Sequence, residues 1–68
     1  MFSFMFYNNG TVVGGYQSTT AHPVPSVGNV VIFASRRYKV RKVIYDYSRI
    51  DASQGNELIV HIYCENGD

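Results

Sequence analysis

The first thirty-five residues contain no Lys, Arg, Asp or Glu, so this half of the chain has no charged side chain with which to form ion pairs. All cations fall between residues 36 and 49, and together with Asp46 they give that window a net charge of +5. Residues 50–68 carry four acids and a net charge of −4. A contact with phosphates or with an acidic protein surface would therefore use one short basic patch. Its residues are Arg36, Arg37, Lys39, Arg41, Lys42 and Arg49.

Cysteine is nearly absent, since Cys64 is the only one, and this excludes a disulfide within the chain. The run of residues 2–7 lacks the basic region and the length of a signal peptide. No apolar stretch approaches the roughly eighteen residues that a membrane-spanning helix requires. We therefore expect a cytoplasmic protein with no membrane partner.

Residues able to perform metal or nucleophilic chemistry are also scarce. His61 and Cys64 are three positions apart on a predicted strand, which places them on opposite faces and excludes a dyad or a shared metal site. With His22 they still lack the fourth ligand and the usual spacing of structural zinc. Gly14-Gly15 lacks the Lys and the strand-to-helix context of a phosphate loop. We expect no catalytic residue, metal, cofactor or small-molecule substrate, and Cys64 is interpreted as a core residue.

Apolar and aromatic residues are abundant, at 46% and 15% of 68 residues, and this composition favours strands in a single small domain. Asn8-Asn9-Gly10 predicts a type I′ hairpin turn, and Ser35-Arg36 a second tight turn. Gly14-Gly15 indicates a bulge or bend, and the Pro-containing segment 18–29 a long loop. No segment shows the hydrophobic periodicity that is typical of a helix. The predicted strands span residues 2–7, 11–17, 30–34, 37–47 and 57–64.

The strand 37–47 keeps its apolar residues on one face only if a bulge at Arg41-Lys42 shifts the alternation by one residue. Its expected inward row is then Tyr38, Val40, Val43, Tyr45 and Tyr47. In the last strand we expect Leu58, Val60, Ile62 and Cys64 inward, with Glu57, Ile59, His61, Tyr63 and Glu65 outward.

Five short strands with glycine or bulge corners predict an all-β, partly open SH3-like barrel without substantial helix. Residues 25–33 (PSVGNVVIF) and 37–43 (RYKVRKV) resemble a pattern in small proteins of phages and mobile elements. In those proteins a Pro-x-Val-Gly-Asp turn precedes one strand, and a strand with the pattern Tyr-x-Val-x-x-Val follows it. This chain departs at Asn29, where Asp is usual, and at Ser35-Arg36, where Gly is common. The resemblance implies a barrel, and an accessory factor or inhibitor of host machinery in the host cytoplasm.

The basic patch has two interpretations. Pairing of the last strand with the basic strand would bring Glu57 and Glu65 to the cations and make the patch a solvated, partly paired strand face. Alternatively, Arg37, Lys39 and Arg41 project at intervals of about 6.6 Å and grip nucleic-acid phosphates. Against the second interpretation, the expected register turns the neighbouring tyrosines inward, and the pI of 7.9 is nearly neutral.

The first strand is apolar on both faces, which indicates either a central strand or one covered by another subunit. We favour the subunit and expect an exposed edge strand whose interface residues are Phe2, Phe4, Met5, Phe6 and Tyr7. The alternative is that the chain's own long loop covers Met5 and Tyr7. Together with outward Ile59 and Tyr63, this feature ranks a non-enzymatic role in binding a protein, or a second copy in a homodimer, above nucleic-acid binding.

Overall fold

A computed structural model of the protein describes residues 1–20, 22–51 and 55–67, with the backbone alone at Asp51 and Gly55. Five strands form one sheet in the order β2-β1-β7-β4-β3, and the short β5 and β6 pair separately. No helix occurs in this part of the chain, which confirms the all-β prediction. The strands are β1 Phe2–Asn8, β2 Thr11–Ser18, β3 Val30–Phe33, β4 Arg36–Asp46, β5 Ile50–Asp51, β6 Gly55–Asn56 and β7 Leu58–Asn66.

Strand β1 lies inside the sheet, where it pairs antiparallel with β2 and parallel with β7. Phe2 is opposite Leu58 and Asn8 is opposite Cys64, so the end of the chain returns beside its beginning. The expectation of an exposed edge strand is therefore wrong. Neighbouring strands rather than a subunit pair with both of its edges, and the core covers its inner face, where Phe4 and Phe6 are buried.

Two tight turns set the hairpins. Asn9 and Gly10 have φ angles of 52° and 79°, as a type I′ turn requires, and the first predicted hairpin is confirmed. The second turn uses Ala34 and Ser35, with φ angles of 49° and 64°, one residue before the predicted Ser35-Arg36. Strand β3 accordingly ends at Phe33 and β4 begins at Arg36.

Bulges interrupt both long hairpin strands. In β2 the extra residue is Val13, because Phe6 pairs with Gly14 and Tyr7 with Val12, so the bulge lies just before the predicted Gly14-Gly15. In β4 the extra residue is Arg41, because Val40 pairs with Cys64 and Lys42 with Tyr63. The predicted bulge at Arg41-Lys42 is confirmed, and it places Val43 and Tyr45 on the inner face with Tyr38 and Val40, while Ile44 lies on the outer face.

The inner face of the sheet carries the core, whose buried members are Phe4, Phe6, Tyr38, Val40, Val60, Ile62 and Cys64. Tyr45 and Tyr47 depart from the expected inward row, since they are 46% and 61% exposed. Tyr45 pairs with buried Val60 and so shares the inner face, but β3 pairs only with Arg36–Lys39 and ends before reaching it. Burial of each large core side chain stabilises the fold by about 1.5–3 kcal/mol.

The sheet curls until its two ends meet. The ring of Phe33 in β3 lies 4.7 Å from that of Phe6 in β1, although two strands separate β3 from β1 in the sheet. A Cβ on Gly14 in β2 would come within 2.9 Å of the Phe33 ring, so only glycine permits this approach. The five strands thus form a partly open half-barrel around one core.

The predicted loop 18–29 connects the two ends of the half-barrel, apart from Ala21, which lies outside the described residues. Val24 packs on the core. The N–H of Gly28 donates to the carbonyl of Val40 (2.9 Å), and the N–H of Val40 donates to the carbonyl of Asn29 (2.8 Å). The second predicted loop, 48–56, contains the short β5 and β6, and its residues 52–54 also lie outside the described part.

Candidate functional site

An open groove of about 830 Å³ runs along the outer face of the sheet, the face turned away from the core. We call it the outer groove. The parallel pairing of β1 and β7 builds its floor, because Ser3 lies beside Ile59 and Met5 beside His61. Strand β2 forms one wall, with Gln17 among its lining residues. Met5 and Ile59 make the middle of the groove apolar, and polar groups lie toward both ends.

One end of the outer groove is aromatic. Tyr7 and Tyr63 are direct neighbours across β1 and β7, and their rings stack at 4.8 Å and 14°. The hydroxyl of Tyr7 is hydrogen-bonded to Nδ1 of His61 at 2.7 Å, and the two rings are 5.6 Å apart. The tyrosine faces are directed at each other, so a flat nucleobase cannot insert between them without breaking the stack. The arrangement offers ring edges and a hydroxyl.

Asp46 lies on β4 opposite Ile59, beside the middle of the outer groove. Its Oδ2 lies 3.9 Å from Nε2 of His61, and its Oδ1 accepts hydrogen bonds from Oγ (2.6 Å) and N (2.9 Å) of Ser48. These hydrogen bonds lower the pKa of Asp46, which is therefore ionised at neutral pH. Burial, and after it the nearby Tyr63, raises the pKa of Tyr7, whose hydroxyl stays protonated. His61 thus lies between one anion, Asp46, and one neutral hydroxyl, that of Tyr7.

At the opposite end of the outer groove, four polar side chains form one network of hydrogen bonds and an ion pair, which we call the polar network. Ser3 is only 6% exposed, and its hydroxyl donates to Oε2 of Glu57 at 2.5 Å while accepting from Nε2 of Gln17 at 3.3 Å. The other carboxylate oxygen of Glu57 lies 3.4 Å from Nη1 of Arg49. The buried hydroxyl of Ser3 both donates and accepts a hydrogen bond, so the polar network holds this end of the groove in a fixed geometry.

The six residues of the basic patch are all exposed, but they do not act alike. Arg41 lies 3.6 Å from Glu65 and Arg49 3.4 Å from Glu57, which confirms the expected approach of these two acids. Such exposed pairs contribute at most about 1 kcal/mol each, yet they neutralise part of the local field. No ion pair within the described residues involves the other four cations, which are Arg36, Arg37, Lys39 and Lys42.

The five predicted interface residues of β1 do not share one surface. Phe4 and Phe6 are buried in the core, and Phe2 packs against it from the same face. Only Met5 and Tyr7 face outward, because successive side chains of a strand alternate. Of the predicted interface residues, these two lie on the outer face, and Ile59 and Tyr63 of β7 lie on the same face. The contact of His61 with Tyr7 was missed, since finding it requires the register of a parallel pair fifty-four residues apart.

His61 and Cys64 lie on opposite faces as predicted, His61 half-buried in the outer groove and Cys64 buried in the core. His22 is in the long loop, 2.9 Å from the hydroxyl of Ser18. Among the residues described, no group of three or more His, Cys, Asp or Glu side chains could hold a metal ion. No helix in that part of the chain is long and apolar enough to cross a bilayer. Comparison with family models, curated proteins and solved structures gave no match.

Proposed function

We propose that this chain is a non-enzymatic binding factor that holds an apolar segment of a protein partner in its outer groove. The observation that carries the proposal is the open apolar strip of Met5 and Ile59. Aromatic rings lie at one end of this strip and the polar network at the other. Protein interfaces are enriched in such Tyr and Met side chains, with polar groups around them. The partner's apolar side chain would lie across the strip.

The polar groups of the outer groove support binding over catalysis. Ser3 is bonded to Glu57 and Gln17, and Tyr7 to His61, so these groups orient one another. A ligand-binding strip with a few fixed polar groups is typical of recognition sites. The resemblance of residues 25–47 to small phage proteins supplies the more specific part of the proposal, in which the partner belongs to host machinery and the chain inhibits or adapts it.

The test uses a tagged chain purified from its native cell in three forms. Met5→Lys places a charge in the middle of the strip, while Val27→Lys changes a loop residue that is 63% exposed and does not line the groove. The proposal predicts a protein partner that co-purifies with the unchanged chain and with Val27→Lys but not with Met5→Lys. Retention by all three forms would contradict it, provided that circular dichroism shows all three folded.

Nucleic-acid binding is the second candidate, and exposed tyrosines favour it. The inward placement of Tyr45 and Tyr47 was the main argument against base stacking, and both rings are open to solvent. They follow the four cations of β4 that make no described ion pair. Three to five phosphate contacts predict a slope of about −2 to −4.5 in log K against log salt.

A salt titration with single-stranded and duplex DNA and RNA measures that slope. Arg37→Glu combined with Lys39→Glu should abolish binding, because neither cation is tied to a described carboxylate. Arg41→Glu combined with Arg49→Glu is the control matched in charge and should change affinity less, since these two cations already pair with Glu65 and Glu57. A flat salt response would remove this candidate and leave the outer groove proposal intact.

A further inference from the structure

The second half of β4, residues 41–46, has a free edge. Strand β3 pairs with Arg36–Lys39, and Val40 bonds to Gly28 and Asn29. Within the described residues, β7 is the only strand that pairs with the rest of β4. An unpaired strand edge presents N–H and C=O groups in the geometry that another strand needs. We call this segment the open edge of β4.

The side chains of the open edge are arranged symmetrically about Ile44. Lys42, Ile44 and Asp46 lie on the outer face, because they pair with Tyr63, His61 and Ile59. Val43 and Tyr45 lie on the inner face, opposite Ile62 and Val60. A cation, Lys42, therefore lies two residues before Ile44 and an anion, Asp46, two residues after it. An aliphatic residue, Val43, lies one residue before Ile44 and an aromatic residue, Tyr45, one residue after it.

We propose that two copies of this chain associate through their open edges, antiparallel, with Ile44 on the two-fold axis. In this register Lys42 lies opposite Asp46 of the second copy, and Val43 lies opposite Tyr45 of the second copy. Each contact occurs twice, as the self-complementary surface of a two-fold dimer requires. Opposite charges and aromatic–β-branched pairs are the favourable cross-strand combinations.

Charge selects this register over its neighbours. An axis at Val43 would place Lys42 opposite Ile44, and an axis at Tyr45 would place Asp46 opposite Ile44, so both ion pairs would be lost. Registers centred between two residues would pair an outer-face side chain with an inner-face one. Oδ1 of Asp46 accepts the hydrogen bonds from Ser48, and Oδ2 lies 3.9 Å from Nε2 of His61, a distance beyond a hydrogen bond that lets it accept one from Lys42 of the second copy.

The backbone fits the same register. Val40 directs its N–H and C=O away from β7, and the bulge at Arg41 shifts the alternation, so Val43 and Tyr45 direct theirs to the open edge. Val43 then exchanges hydrogen bonds with Tyr45 of the second copy. The dimer covers Tyr45 and Ile44, which are 46% and 38% exposed in one copy. This inference does not depend on the outer groove.

Covalent trapping tests the register. Two Ile44 residues on the axis form a non-hydrogen-bonded pair with Cα atoms about 4.5 Å apart, within the range that a disulfide spans. Ile44→Cys should give a covalent dimer under mild oxidation. Ile32→Cys, at an exposed position on β3, is the matched control and should stay monomeric. Native Cys64 is buried and constant in both variants. A monomer from Ile44→Cys, or cross-linking only to a different protein, would overturn the proposal.

Charge reversal tests the pairing of Lys42 with Asp46. Sedimentation over a concentration series should show dimerisation weakened about tenfold or more by Lys42→Asp and by Asp46→Lys, because each change turns both ion pairs into repulsions. The double variant Lys42→Asp with Asp46→Lys should regain the dimer. A double variant as weak as the single ones, or an unchanged chain that is monomeric at every concentration, would refute the proposed interface.

Discussion

The two faces of β1 are both apolar, yet they do different things. On the inner face Phe6 packs against Phe33, which reaches it because the sheet curls, and Phe4 stacks on Tyr16. On the outer face Met5 and Tyr7 line an open groove. A face becomes core only when a second layer covers it, so the apolar side chains of β1 stabilise the fold on one side and line an open groove on the other.

The largest expected effect is a difference in the free energy of unfolding between substitutions on the inner and the outer face of β1. Phe4→Ala removes a ring that is 1% exposed and should lower the free energy of unfolding by about 3–5 kcal/mol. Met5→Ala, the adjacent residue on the outer face, should lower it by less than about 1 kcal/mol. Urea denaturation measures both. Equal losses would mean that the outer face is also core.

The closure that seals the inner face can be broken at one glycine. Gly14→Ala places a Cβ within 2.9 Å of the Phe33 ring and should destabilise the fold by about 1–3 kcal/mol. Phe33→Leu in the same chain removes the ring and should recover part of that loss, which a double-mutant cycle by urea denaturation would reveal. Strictly additive effects of the two changes would argue that β2 and β3 do not meet through this contact.

The polar end of the outer groove should contribute less. Ser3→Ala removes the hydroxyl that donates to Glu57 and accepts from Gln17, and should lower the free energy of unfolding by about 1 kcal/mol. Gln17→Ala removes only the longer of the two bonds and serves as the control, with a smaller loss. If Gln17→Ala proved the more damaging, the order of these two bonds would be wrong.

The smallest effect should be the acid dependence from Asp46. Its pKa is lowered from 3.8 by Ser48, so its contribution to stability is complete above pH 3.8 and is lost as the pH falls through the folded-state pKa. Ser48→Ala should therefore flatten the pH dependence of unfolding in this acid range. Unfolding midpoints measured from pH 2 to pH 5 check this, and superimposable curves for the two chains would contradict it.

Much of the fold follows from local patterns in the sequence. Asn9-Gly10 determines the first turn, and the step from Val40 to Val43 requires a bulge, since strict alternation would turn Lys42 inward. Other features depend on contacts between distant segments. The parallel pairing of β1 with β7 and the contact of Phe33 with Phe6 leave no periodic signal in either strand.

The candidate site was therefore predicted only in part. The outward orientation of Met5, Tyr7, Ile59 and Tyr63 follows from alternation, but their position side by side on one face requires the parallel register. The exposure of Tyr45 arises because β3 begins at Val30, opposite Lys39, and the shift of the second turn by one residue moves Val30 two residues farther from Tyr45 along β4. Strand patterns thus predict faces, and topology determines which faces meet.

Site-specific photo-crosslinking in the native cell tests the difference between the two regions most directly. A photoreactive residue at position 5 or 59 lies in the outer groove, and one at position 27 lies in the loop outside it. We predict that positions 5 and 59 capture the same protein and that position 27 does not. A product from position 27 alone, or the same product from all three positions, would contradict the assignment of the outer groove as the binding surface.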